Sequence, residues 1–139
     1  HRSWQSTMRA AGLTPGLSVE GDWSAQSGYE KVHELMTHGA SFTALVVGND
    51  QMALGAMRAL REYGLCIPGD VSVVGFDDMP EAAYFDPPLT TIRQDFAALG
   101  EQSVEYLVAL LEQPNTPVHQ RVLYPEFIER SSTGPVRAE

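Results

Sequence analysis

Residues 43–47 read TALVV, an apolar run too short for a helix, and Asn49 and Asp50 follow almost at once. Such a run predicts a parallel strand covered on both faces. Over residues 50–63 the period changes: Ala53, Ala56, Met57 and Leu60 share one stripe, Arg58, Arg61 and Glu62 fall elsewhere, and Gly64 follows. That spacing predicts an amphipathic helix stopped by a residue that tolerates positive φ. Trp4, Met8 and Ala11 predict a helix over residues 1–12, and residues 17–20 a short strand. Ser24 is a candidate cap for a helix reaching about residue 38, with Tyr29, Val32, Leu35 and Met36 inward and Gly39 as its stop. Two more strands are expected over residues 71–76 and 90–93, the second reached through the stiff Asp86-Pro87-Pro88 loop. A long helix over residues 95–112 is expected to bury Leu99, Val104, Leu107, Val108 and Leu111, and extended pieces follow near residues 120–124 and 126–130. Strands alternating with helices through short loops imply an α/β fold, a parallel sheet flanked by helices on both faces.

A chain of 139 residues suits one domain with a single core. Its 43% hydrophobic and 19% charged residues exclude a disordered chain and fit a soluble globular protein. No apolar run approaches the ~20 residues that span a bilayer, so no membrane partner is expected. The first residue is His1 rather than Met, which leaves the lack of a secretory signal without weight. Cys66 is the lone cysteine; it excludes an internal disulfide and fits a reducing compartment. The net charge of −9 argues against this segment gripping nucleic acid, because duplex binding needs clustered Lys and Arg.

In parallel α/β sheets ligands bind beyond the carboxyl ends of the strands. The predicted exits carry Asp22 and Trp23, then Asn49 and Asp50, then Asp77 and Asp78, then Gln94, Asp95 and Phe96. Acids and amides that hold hydroxyls, beside aromatic rings that cover a C–H face, suit a neutral polyol such as a sugar. Asp50 and Asp95 begin helices and read first as N-caps. Asn49 is harder to assign to capping, since Asp50 stands next to it. Of the adjacent Asp77 and Asp78, a turn uses one, and the other is expected to meet a ligand or partner. Trp23 and Phe96 suit stacking or packing equally. Phosphate-binding glycine motifs, HExxH and GxSxG are absent, so no catalytic residue, metal or cofactor is expected.

The stretches GNDQMALGAMRAL from Gly48, VSVVGFDD from Val71, PPLTTIRQDFAALG from Pro87, ERSST from Glu129 and GDWSAQSG from Gly21 resemble the regulatory core of the LacI/GalR family of bacterial transcription regulators. The resemblance covers nearly the whole chain. It implies a type I periplasmic-binding-protein-like module of two lobes with a galactoside-like sugar effector between them, in a cytoplasmic homodimer. Residues 1–93 would form the C-terminal lobe, 94–123 a piece of the N-terminal lobe, 124–134 a return strand and 135–139 a tail. Trp23 and Phe96 would pack on the sugar, Asn49 and Asp77 would bond its hydroxyls, and Gln94 would line the site at the crossover. Asp78 would be structural or interlobe, and Leu54, Glu81, Tyr84 and Phe85 would serve the dimer interface. Operator DNA would be a partner only through a helix-turn-helix head in front of His1. The sugar-gripping arginine would also precede His1, and the helix over residues 95–112 would have lost its usual cover, so a substitute packing against a neighbour or by exchange is expected. An exported sugar-binding protein feeding a transporter shares the fold and is the alternative; a hydrolase on the same scaffold is a weaker one.

Overall fold

The computed structural model describes residues 2–113 and 117–136. The expected helix start at His1, residues 114–116 of the expected 94–123 segment and the end of the expected tail lie outside the described residues.

Among the described residues the elements follow in the order α1 (Arg2–Ala10), α2 (Ala25–Thr37), β1 (Ala44–Val46), α3 (Asp50–Glu62), β2 (Ser72–Val74), β3 (Thr91–Arg93), α4 (Phe96–Glu112) and β4 (Glu126–Ile128), with a 3-10 turn at Pro80–Tyr84 between β2 and β3. β1 and β2 pair in parallel, Val46 opposite Val74. Parallel bridges Val74–Thr90 and Asp77–Arg93 carry the sheet on towards β3. β4 is antiparallel to β3, with Ile92 opposite Phe127, so the returning chain closes the sheet in the opposite sense.

The core lies where α2 and α3 cover this sheet. Leu60, Val71, Val73 and Leu89 are fully buried, with Ala53, Ala56, Met57, Val32 and Phe85 around them. Each large aliphatic removed from water contributes about 2 kcal/mol. The two helices touch backbone to backbone. A Cβ at Gly55 would collide with the Ala25 carbonyl oxygen, and one at Gly28 with the Met52 carbonyl, so each helix offers its glycine to the other's main chain.

The caps fall partly as expected. Ser24 caps α2 by accepting from the Ser27 N–H at 3.0 Å, and Asp95 caps α4 by accepting from the Ala98 N–H at 2.8 Å. At α3 the roles are exchanged: Asn49 Oδ1 accepts from the Met52 N–H at 2.8 Å, and Asp50 turns inward instead of capping.

Other expectations are corrected. Residues 17–20 and 120–124 form no strand, for neither finds a ladder partner, and Leu17 and Tyr124 stand exposed. β1 is covered on one side only, with Val46 63% exposed. The long helix is not packed as expected: no residue of α4 is buried, and Leu99, Val104, Leu107, Val108 and Leu111 are all exposed. Their spacing marks an amphipathic helix, but within the described residues little lies against it. What does is the loop beyond α4, where the His119 N–H donates to the Tyr106 hydroxyl at 2.8 Å and Arg121 sits 4.9 Å from the Tyr106 ring centre.

Candidate functional site

The exits of β1, β2 and β3 meet on one border of the sheet. Asp50 donates its N–H to the Phe76 carbonyl at 2.9 Å, and Asp77 donates its N–H to the Ile92 carbonyl at 2.8 Å, so the three loops are stitched side by side. A cleft of about 450 Å³ opens there, lined by Asp50, Gln51, Asp77, Asp78, Met79, Pro80, Arg93, Gln94 and Phe96.

Among the expected site residues, Asp77, Gln94 and Phe96 come together in this cleft. The Gln94 Nε2–H donates to Asp77 Oδ1 at 2.8 Å, and Phe96, at the first turn of α4, leaves more than half of its surface open. Trp23 and Asn49 occupy the adjoining station on the same border and do not line the cleft. Asn49 is buried, its Nδ2–H donating to the Trp23 carbonyl at 3.0 Å while its oxygen caps α3. Trp23 itself is 64% exposed with φ 73°, its ring beside Gly48. The neighbouring Asp22 is spent locally: hydrogen bonds from the Ser24 hydroxyl and N–H lower its pKa to about 2. Leu54, Glu81 and Tyr84 are exposed. Phe85 instead packs into the core with Ala82 and Leu89, because the 3-10 turn carries it inward.

The two adjacent acids have separate environments. Asp78 accepts from Arg130 Nη2 at 2.6 Å and from Arg93 Nε at 2.7 Å, and Arg130 Nη1 also donates to the Leu89 carbonyl at 2.7 Å. This clamp binds the β2 exit to the end of β3 and to the segment after β4. Burial pushes the Asp78 carboxyl up, but the hydrogen bonds and charges of Arg130 and Arg93 outweigh it and hold it below the usual 3.8. A carboxyl lowered on folding gives stability that is complete above the unfolded value and lost as pH falls through the folded one. Asp78→Asn should therefore flatten the acid limb: urea midpoints measured at pH 5 and below 3.8 should differ less than in the unsubstituted protein. An unchanged difference would remove the clamp from the acid response.

Asp50 runs the other way. Burial raises its carboxyl, opposed by hydrogen bonds from the Thr91 hydroxyl at 2.6 Å and the Met79 N–H at 2.9 Å, while the charge of Asp77 adds to the rise. Arg93 and Arg130 were not singled out by the sequence, and Asp50 reads there as a cap instead of a buried acceptor. Their partners lie 15 to 52 residues away along the chain, beyond any local spacing rule. The one signal was Arg93, next to Gln94 at the end of a predicted strand.

The arrangement suits an uncharged, hydroxyl-rich ligand: carboxylate and amide acceptors and donors, an aromatic face, and cations already paired to acids. Among the described residues no group of His, Cys, Asp and Glu is placed to hold a metal ion. Among the described residues no helix is long and apolar enough to cross a membrane.

Residues 1–133 match the family described as periplasmic binding protein-like domain. The lactose operon repressor of Klebsiella pneumoniae is 41% identical over 136 residues, 98% of this chain and 38% of that protein. Two solved structures are similar at 41% identity over 95% of this chain. One is the lac repressor dimer bound to operator and the anti-inducer ONPF, with TM-score 0.89 and 46% of that chain covered. The other is the lac repressor bound to ONPG in the repressed state, with TM-score 0.90 and 40% covered. The chain thus spans less than half the length of each of these relatives, and all three are repressors rather than transport proteins.

Proposed function

Because this chain belongs to the LacI-type transcription regulators of the periplasmic-binding-protein-like family, we propose that it is the effector-binding and dimerisation part of a sugar-responsive repressor. The observation that carries the reading is the joining of Asp77, Gln94 and Phe96 in one cleft at the carboxyl border of the sheet. Asp77 and Gln94 bond hydroxyls of a galactoside-like effector, and Phe96 covers its apolar face. Trp23 stacks from the adjoining station, with Asn49 behind it fixing the loop. Residues 1–93 and 124–134 form one lobe, and residues 94–123 reach into a second. The exposed stripe of α4 is what that second lobe covers, and Leu54, Glu81 and Tyr84 meet a second copy.

Regulation follows by population shift. Operator prefers one arrangement of the lobes, and a sugar that binds the other arrangement better lowers operator affinity by the ratio of its two affinities. The test uses the intact protein, titrated with ONPG by calorimetry and followed for operator binding in a gel shift. Saturable one-per-subunit binding that changes operator affinity is expected. ONPG that binds without changing operator affinity would sink the regulatory reading, and absence of binding would sink the galactoside-like effector.

A further inference from the structure

Two successive non-glycine residues, Asp77 with φ 108° and Asp78 with φ 56°, lie in left-handed backbone at the cleft floor. Such backbone is costly for a non-glycine residue and persists only where its surroundings over-determine it. Asp78 has its arginine clamp. For Asp77 the surroundings are supplied by Asp50. The Asp50 N–H donates to the carbonyl of Phe76, just before the strained pair, and Asp50 Oδ2 accepts from the N–H of Met79, just after it. Oδ1 is fixed in turn by the Thr91 hydroxyl. The side chain is 1% exposed, and it rests on Gly75, where any Cβ would collide with the carboxylate. Asp50 has no capping duty, which Asn49 performs, so its carboxylate is free to hold the turn.

We propose that Asp50 is a positioning residue of the cleft, stapling both ends of the turn over residues 76–79 and thereby aiming the Asp77 carboxylate at the ligand. It rests on the reading of Asp77 as a sugar-binding acid. Asp50 does not itself touch sugar, since both of its oxygens are engaged by Met79 and Thr91. Asparagine can keep both contacts, its oxygen accepting from Met79 and its amide donating to the Thr91 hydroxyl, whereas alanine keeps neither.

The experiment compares Asp50→Ala, Asp50→Asn and a remote core variant, Val32→Ala, in the intact protein. ONPG affinity is measured by calorimetry, and hydrogen exchange is followed at the Asp77 amide, which is bonded to Ile92. Asp50→Ala should weaken ONPG about tenfold and speed Asp77 exchange about tenfold relative to the α3 amides. Asp50→Asn should stay within about threefold of the unsubstituted protein, and Val32→Ala should lose stability while keeping affinity within about twofold. An Asp50→Ala protein that binds ONPG as Val32→Ala does, or whose Asp77 amide exchanges in step with α3, overturns the proposal. If the unsubstituted protein fails to bind ONPG, the galactoside reading falls instead, and the Asp77 amide alone decides the staple.

Discussion

Gly55→Ala should lower stability by about 3 kcal/mol, a fall of roughly 10 °C in melting temperature for a chain of this size. The added methyl would fall inside the Ala25 carbonyl oxygen and within 2.7 Å of the Tyr29 nitrogen. Backbone atoms have no rotamer to escape into, so α2 and α3 must separate along their length and surrender close packing. Alanine's better helix propensity returns only about 1 kcal/mol. Gly100→Ala on α4 supplies the control, because nothing lies within 4 Å of the position its methyl would take. That variant should be neutral or slightly stabilising. Thermal and urea unfolding of the pair decides the matter: equal effects would mean that the α2–α3 crossing tolerates more space than the geometry shows.

Asp77→Ala should weaken ONPG roughly 10- to 100-fold, the worth of one or two hydrogen bonds to a charged group. Operator affinity without sugar should be unchanged, since Asp77 takes no part in the Asp78 clamp or in the α2–α3 core. Asp77→Asn separates charge from backbone, because asparagine accepts left-handed φ at least as readily as aspartate does. It should fall between the two if the carboxylate charge matters, and match the alanine variant if it decides. A repressor that still responds to ONPG at ordinary concentrations after Asp77→Ala would remove this acid from the site.

The helices α2 and α3 were legible because each carries all its signals locally: a cap or an acid at the front, a 3.6-residue stripe, and Gly39 or Gly64 behind. Strands were legible as apolar runs only where a neighbour exists to take up the ladder. Residues 44–46 have β2, while residues 17–20, with a similar pattern, have no partner. The border of the cleft could be foreseen, since the polar tips follow the strands directly. The division of labour within it could not. Asn49 and Asp50 exchanged roles because Thr91, distant along the chain, and Met79 give a buried carboxylate its hydrogen bonds, and Asp78 was claimed by Arg130 from beyond β4. Phe85 shows the same limit: an aromatic after an exposed tyrosine gives no sign of which of the two a 3-10 turn will bury.

The attachment of α4 gives the cleft mechanical reach. Its 17 residues begin one position after the Asp95 cap and two after Gln94, whose amide holds Asp77. At ~1.5 Å per residue the helix is ~25 Å long, so a tilt of ~10° about its foot swings the far end by ~4 Å. A small angular change at the cleft's edge would therefore become a displacement of several ångströms at the distal turn.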